Sequence, residues 1–360
     1  MLESQQISER SPAAGQAIRV MVVDDSAIVR GLIIQMLEKH PEVRIVARAS
    51  NGEIAVAELG RTEVDVVVLD LDMPVMDGMT ALPLLLAKRP GVQIVVASTL
   101  SKRNARISLE ALGQGAADYV PKPETGGLVN AEEFERELTS KVLALGRRGA
   151  QPATSRSSAP ILAAPRRTVA VRPGIIAIGG STGAPPVLLN LMAGLKDAVS
   201  QPILITQHMP ATFTALLAEQ IERASGRPCA EARDGEPILP GRSYVAPGGW
   251  HMTVGRNGAT PVIRLNQEPP EHYCRPAVDP MLRSAAEVYG NRLLAIILTG
   301  MGSDGAEGCR LVSQSGGRFA VQDEATSAVW GMPGAAAKSG LAEAILPGPE
   351  IAEWIKEIAK

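Results

Sequence analysis

The stretch Gly174-Ile-Ile-Ala-Ile-Gly-Gly-Ser-Thr-Gly-Ala-Pro185 reads as an apolar strand that enters a glycine-rich turn and then a helix. Such a turn holds Ser181 up just ahead of the helix, where a serine can act as a nucleophile. Two later segments have the same form: Ile203-Leu-Ile-Thr-Gln-His208 and Leu294-Ala-Ile-Ile-Leu-Thr-Gly-Met-Gly-Ser-Asp304. In open parallel sheets ligands bind beyond the carboxyl ends of the strands. Three strand ends would therefore bring a nucleophile, a base and an orienting carboxylate to one sheet edge.

Strand-like runs and helical patterns alternate on both sides of a proline- and arginine-rich segment, Gly146 to Pro173. Before it, strands are expected at 18–23, 43–47, 64–69, 94–97 and 117–120, with helices at 27–39 and 81–88. After it, strands are expected at 175–178, 203–206 and 293–298, with helices at 211–225 and 280–289. Both halves read as α/β with mainly parallel sheets, the second doubly wound. The division is a disordered extension over 1–17, a first domain over 18–140, a flexible linker over 141–173 and a second domain over 174–360.

A chain of 360 residues exceeds what one core usually spans. With 45% hydrophobic but only 3% aromatic residues, the cores must be built from Ala, Val, Ile and Leu. A net charge of −2 gives no drive toward nucleic acid or an anionic membrane surface. Cys229, Cys274 and Cys309 are far apart and form no C-x-x-C pair, as expected of reduced thiols in a cytoplasmic protein. The start is polar, and no apolar run is long enough to insert into a membrane.

In the first half Asp24 and Asp25 end the first strand and Asp70 ends the third. Neighbouring carboxylates repel unless a cation neutralises them, and hard oxygen ligands suit Mg²⁺. Asp70 is then placed to attack a phosphoryl donor, with Ser98 and Lys122 set to meet the phosphoryl oxygens. The competing reading of an aspartate after a strand is a helix cap.

In the second half Ser181 needs a base to remove its proton, and the base needs a carboxylate to fix its tautomer. Of four histidines, His208 directly follows a buried-strand pattern; His40 sits at a helix end, where a cation suits the dipole. Asp304 fits the orienting role, and Asp279 is a rival that opens a helical pattern and suits a cap. Gly300-Met-Gly-Ser-Asp-Gly305 allows close backbone approach, so an exposed amide such as that of Met301 can donate to an oxyanion. The Gly179-Gly-Ser-Thr-Gly183 turn does not meet the G-x-G-x-x-G spacing of dinucleotide binding. The order Ser, His, Asp also differs from that of the α/β-hydrolases.

Asp70-Leu-Asp-Met-Pro-Val-Met-Asp-Gly78, Ser98-Thr99 and Tyr119-Val-Pro-Lys-Pro123 together resemble the flavodoxin-like receiver domain of response regulators. That resemblance implies phosphorylation of Asp70, rather than Asp72, by a histidine kinase. It also implies Mg²⁺ held by Asp24, Asp25 and Asp70, and a switch formed by Ser98, Tyr119 and Lys122. The second half, through Gly179-Gly-Ser-Thr-Gly183, Gln207-His-Met-Pro210, Tyr244-Val-Ala-Pro-Gly-Gly249, Arg275-Pro-Ala-Val-Asp279 and Leu298 to Gly305, resembles the chemotaxis methylesterase CheB family. It implies hydrolysis of glutamate γ-methyl esters on chemoreceptors and deamidation of receptor glutamines. It carries over Ser181, His208 and Asp304 as the triad and Met301 as oxyanion donor, with no cofactor for the ester chemistry. The implied partners are chemoreceptors and a chemotaxis kinase, without nucleic acid or membrane insertion. Two rivals remain: a response regulator acting by binding alone through a non-catalytic output domain, and a transcriptional regulator, for which no basic helix-turn-helix is evident.

Overall fold

The computed structural model describes residues 17–99, 101–122, 128–149, 161–162 and 171–360. The expected disordered extension falls, apart from Ala17, outside these residues, as does most of the expected linker.

The first half alternates β1 (Ile18–Val23), α1 (Ala27–Glu38), β2 (Val43–Ala49), α2 (Gly52–Leu59), β3 (Val66–Asp70), α3 (Gly78–Lys88), β4 (Gln93–Thr99), α4 (Lys102–Gly113), β5 (Asp118–Lys122) and α5 (Leu128–Gly149). All five strands are parallel, in the order β2-β1-β3-β4-β5. Strand alternation serves both faces. Val20, Val22, Val66 and Val68 pack with Ile33 and Leu37 of α1 and Leu138 of α5. Met21, Val23, Val67 and Leu69 pack instead with Ala55, Leu82, Leu85 and Leu109 of α2, α3 and α4. Ser26, Asn51, Asp77 and Ser101 cap the four helices that follow strands β1 to β4, each accepting from a backbone amide three residues on.

Helix α5 corrects the expected boundary at 140, because it continues to Gly149. Leu138, Val142 and Leu145 repeat at helical spacing and are fully buried. Gly146 lies so close to Ile18 of β1 that a Cβ there would overlap its side chain. The arginine-rich composition beyond hid this last apolar turn. The expected linker also yields a short strand, β6 (Ile161–Leu162).

The second half runs β7 (Ile175–Gly180), α6 (Ala184–Leu195), β8 (Ile203–Gln207), α7 (Ala211–Ser225), β9 (Cys229–Glu231), β10 (Ser243–Val245), β11 (His251–Asn257), β12 (Thr260–Asn266), α8 (Val278–Tyr289), β13 (Leu293–Ile297), α9 (Ala306–Gln314), β14 (Arg318–Gln322), α10 (Met332–Ala337), β15 (Ala344–Leu346) and α11 (Ile351–Ala359). Its sheet has the order β6-β15-β14-β13-β7-β8-β10-β9, parallel except for β6, and β11 with β12 forms a separate hairpin. From β7 the chain turns to β8 on one side, while β13 lies on the other. The ends of β7, β8 and β13 therefore flank a topological switch point, where such sheets place their ligand crevice. Each strand and helix expected above occurs, with ends displaced by at most three residues.

The two halves meet where α4 packs on α6 and α7. Tyr119 of β5 stacks on Phe213 of α7 with ring centroids 4.2 Å apart. Arg106 of α4 faces Glu219 of α7 at 3.7 Å. Among the described residues no helix is long and apolar enough to cross a membrane.

Replacing Leu145 by Ala tests the extended helix. Truncating a packed core leucine should destabilise the domain by about 2–4 kcal/mol, seen as a lower urea midpoint, whereas a linker residue would change it by less than about 0.5 kcal/mol.

Candidate active site

Ser181 follows the last residue of β7, and its amide donates to the Thr299 carbonyl at 3.1 Å. The loop after β13 thus runs beside the nucleophile turn. Gly300 sits at the closest approach, since a Cβ there would meet the Ser181 Cβ at 2.8 Å. The Gly300 amide donates to Val329 and its carbonyl accepts from Met332, which pins the loop on both sides. The next amide, that of Met301, donates no hydrogen bond among the described residues, and the Met301 side chain is partly exposed. This leaves an unused backbone donor one residue beyond the closest approach to Ser181.

His208 follows β8, its amide held by the Gly180 carbonyl at 3.1 Å. Its Nε2 lies 2.7 Å from Asp304 Oδ2. Asp304 is almost fully buried, and each of its oxygens is engaged. Oδ2 also accepts from the Val278 amide at 2.6 Å, and Oδ1 accepts from the amides of Asp279 and Gly305 at 2.9 Å each. Asp304 therefore caps α8 while it orients His208, and the positive end of that helix supports its charge. Burial opposes ionisation of Asp304, but His208 and the α8 amides outweigh it and hold its pKa below the usual range. Burial likewise opposes charge on His208, yet Asp304 and the adjacent Cys274 thiol push its pKa above the 6.5 of free imidazole. With Nε2 committed to Asp304, Nδ1 is the basic nitrogen. The Ser181 hydroxyl makes no hydrogen bond among the described residues.

Asp279 is neither the partner of His208 nor a side-chain cap of α8. Its Oδ1 accepts from the Gly308 amide of α9 at 2.6 Å, and its Oδ2 lies 2.9 Å from His272 Nε2. Burial and the charge of Asp304 both push its pKa up. His272, Asp279 and Asp304 lie close enough to suggest a metal site, but amides and imidazoles already engage all four carboxylate oxygens.

Three contributors were given no site role in the reading of the sequence. Gln207 Nε2 donates to the Ser181 carbonyl at 2.9 Å, tying the end of β8 to the nucleophile turn. Cys274 stands against His208, and His272 against Asp279. Position beside His208 was a usable signal for Gln207. The other two come from a loop whose path no periodicity reveals.

At the receiver edge Asp24, Asp25 and Asp70 gather with ligand atoms within 4.8 Å of one another. Lys122 Nζ bridges Asp24 at 2.7 Å and Asp70 at 2.8 Å. Burial raises the Asp70 pKa, Lys122 works against that, and the charge of Asp24 adds to it. One lysine among three carboxylates leaves a negative surplus, and this all-oxygen donor set fits a hard divalent cation. Ser98 faces inward, its Oγ 2.6 Å from Ser108 Oγ. Tyr119 is buried in the stack on Phe213, and burial raises its pKa. The expected Pro123 after Lys122 lies outside the described residues.

The receiver also reaches the nucleophile turn. Asp118, beside Tyr119, is buried with Lys141, and the Thr182 hydroxyl, one residue after Ser181, is near enough to act on its carboxyl, although Asp118 Oδ2 has no hydrogen-bond partner among the described residues. Arg136 of α5 likewise reaches the second half, lying over the Tyr273 ring 5.4 Å from its centre.

Residues 176–355 match the CheB methylesterase family and residues 20–131 the response regulator receiver domain. A protein-glutamate methylesterase/protein-glutamine glutaminase of Paramagnetospirillum magneticum is 51% identical, the alignment covering 98% of this chain and 99% of that protein. One from Azospirillum brasilense is 50% identical over 96% of this chain and 94% of its own length. The solved CheB methylesterase catalytic domain of Thermotoga maritima is 37% identical with a TM-score of 0.51, covering 52% of this chain and all of that domain. A strand-end Ser, His and Asp joined to a receiver with an acidic pocket, together with these likenesses, place the chain in the CheB methylesterase family of receiver-bearing hydrolases.

Proposed function

We propose that Ser181, His208 and Asp304 carry out the hydrolysis of glutamate γ-methyl esters on chemoreceptors, and the deamidation of receptor glutamines, as an acyl transfer. The observation that carries this reading is the His208–Asp304 hydrogen bond at the strand edge beside Ser181. His208 Nδ1 takes the Ser181 proton as Oγ attacks the ester carbonyl, and the oxyanion is met by the Met301 amide. His208, now charged and held by Asp304, returns the proton to the departing methanol. Water activated by the same imidazole then releases the glutamate. For a glutamine the leaving group is ammonia and the remaining steps are unchanged. A purely binding output domain would need none of this apparatus, and the likeness to enzymes along the whole chain favours catalysis.

Asp70 is the proposed phosphoryl acceptor, with a histidine kinase as donor. Asp24, Asp25 and Asp70 would hold Mg²⁺, which when bound offsets the charge of carboxylates and phosphoryl oxygens. Lys122 pairs with the phosphoryl group, and Ser98 and Tyr119 respond to it. The receiver lies against the nucleophile turn through Asp118 and Thr182 and against α7 through Tyr119 and Phe213. Release of these contacts on phosphorylation frees the cleft and lets Ser181 close on His208. The absence of a membrane-crossing helix among the described residues fits a cytoplasmic enzyme working on the cytoplasmic part of its receptors. No nucleic-acid partner is proposed.

Methanol release from methylated receptor membranes tests the chemistry. Ser181→Ala should lower the rate at least about 10³-fold, and Asp304→Asn about 10⁴-fold. Residual release near the wild-type rate in Ser181→Ala would rule out the serine mechanism.

The pH profile follows from the raised pKa of His208. The base must be neutral to accept the proton, so kcat/KM should climb as pH rises through an apparent pKa above 6.5, and Asp304→Asn should move this acid limb down. An acid limb at or below 6.5 in the wild type would contradict the assignment.

A small phosphodonor should raise methanol release only when Mg²⁺ and Asp70 are both present. Chelation by EDTA, or Asp70→Asn, is expected to remove this stimulation while leaving the unstimulated rate in place. Stimulation that persists in Asp70→Asn would move the acceptor elsewhere.

A further inference from the structure

Between β12 and α8 the chain turns at Glu271-His272-Tyr273-Cys274, closed by a hydrogen bond from the Cys274 amide to the Glu271 carbonyl at 2.9 Å. The two central residues have φ of +52° and +62°, the positive pair of a type I′ turn. Such turns favour Asn-Gly, because a side chain in the left-handed region costs about 1–2 kcal/mol per residue. Here the pair is His-Tyr, so the backbone is strained at two consecutive positions.

The strain is held from both sides. His272 bonds Asp279, and Glu271 pairs with Arg283 at 2.6 Å. Arg275 donates to the carbonyls of Gln267 and Glu268 at 3.0 Å each. The residue before Tyr273 reaches the triad, His272 Nε2 lying 4.0 Å from Asp304 Oδ1, and the thiol of the residue after it, Cys274, is near enough to raise the pKa of His208. Tyr273 itself is 85% exposed, and its one ring contact among the described residues is with Arg136 of the receiver. An over-determined, strained turn thus holds a largely exposed aromatic ring next to a residue that contacts the triad. Backbone strain of this kind persists where surrounding structure enforces it, and it concentrates at functional sites. Exposed tyrosines at such positions supply large contact area at low entropic cost.

We infer that Tyr273 is a specificity-determining contact for the protein substrate, its ring packing on the receptor-helix residues that flank the modified glutamate, and that Arg136 occupies the same ring while the receiver is docked. The inference rests on the methylesterase reading. Arg136 shows what that ring accepts: a long side chain with an apolar stem and a cationic head.

The test uses the full-length chain, activated with a small phosphodonor and Mg²⁺, on methylated receptor membranes and on p-nitrophenyl acetate. Tyr273→Gly should raise KM for the receptor about tenfold, a change about tenfold larger than on the small ester, with kcat for the receptor within about twofold. The same variant should unfold at a higher temperature, since glycine relieves the left-handed turn. Tyr273→Phe should keep the wild-type KM, and Arg136→Ala should leave KM of the activated enzyme unchanged. An unchanged receptor KM in Tyr273→Gly, or an equal loss on both substrates, would overturn the inference. Absence of receptor hydrolysis by the wild type, with the small ester still cleaved, would instead overturn the methylesterase reading beneath it.

Discussion

The catalytic half depends on the burial of one carboxylate. A buried, unpaired carboxylate is costly, so Asp304 must find partners for both oxygens. It finds them in two α8 amides, the Gly305 amide and His208. The helix start, the loop after β13 and the His208 imidazole are therefore positioned by the same group. A change that displaces α8 removes charge stabilisation from Asp304 and, through it, the tautomer of His208. The same constraint explains why Asp279 stands apart. A second ionised carboxylate beside Asp304 would be repelled, and its raised pKa is relieved only by the Gly308 amide and His272.

The receiver edge obeys the opposite logic. Asp304 is held by three amides and one imidazole, whereas Asp24 and Asp70, each bonded to one backbone amide, share a single lysine with Asp25 beside them, so that cluster keeps a surplus of negative charge. A saturated carboxylate is a fixed structural charge. A cluster with surplus negative charge suits the cation and phosphoryl group proposed for it. The first arrangement suits a group that must stay ionised through every turnover, the second one that must change state.

Strand ends were legible in the sequence because buried parallel strands are continuous apolar runs, and the residues just beyond such a run must lie at the sheet edge. Ser181, His208, Asp24 and Asp70 follow that rule, whereas Asp304, in the loop after β13, was singled out together with the Leu298 to Gly305 motif that carries the family resemblance. The rule could not reveal His272 and Cys274, which belong to an irregular loop and reach the triad only through tertiary packing. Nor did it separate Asp279 from a helix cap, since the residue that caps α8 comes from a loop distant in sequence, Asp304. The end of α5 was missed for a different reason. Its apolar period closes at Leu145, but arginine and proline beyond that point dominate the composition and suggested a linker beginning too early.

The contact between the halves has to be weak for the chain to work as a switch. An aromatic stack contributes about 0.5–1.5 kcal/mol beyond its buried area, and an exposed ion pair such as Arg106–Glu219 under about 1 kcal/mol. Coupling of about 1–3 kcal/mol corresponds to a change of about 5 to 150-fold in the population of the open cleft, which one phosphorylation event can deliver. A much larger interface energy would leave the cleft covered whatever the state of Asp70, and a much smaller one would leave it uncovered. Tyr119 stands at the point where this balance is struck, because its ring belongs to the stack on Phe213 while its strand ends at Lys122, the residue that bridges Asp24 and Asp70. In the proposed switch, a shift of Lys122 toward a phosphoryl group would be passed along this strand to the stack of Tyr119 on Phe213.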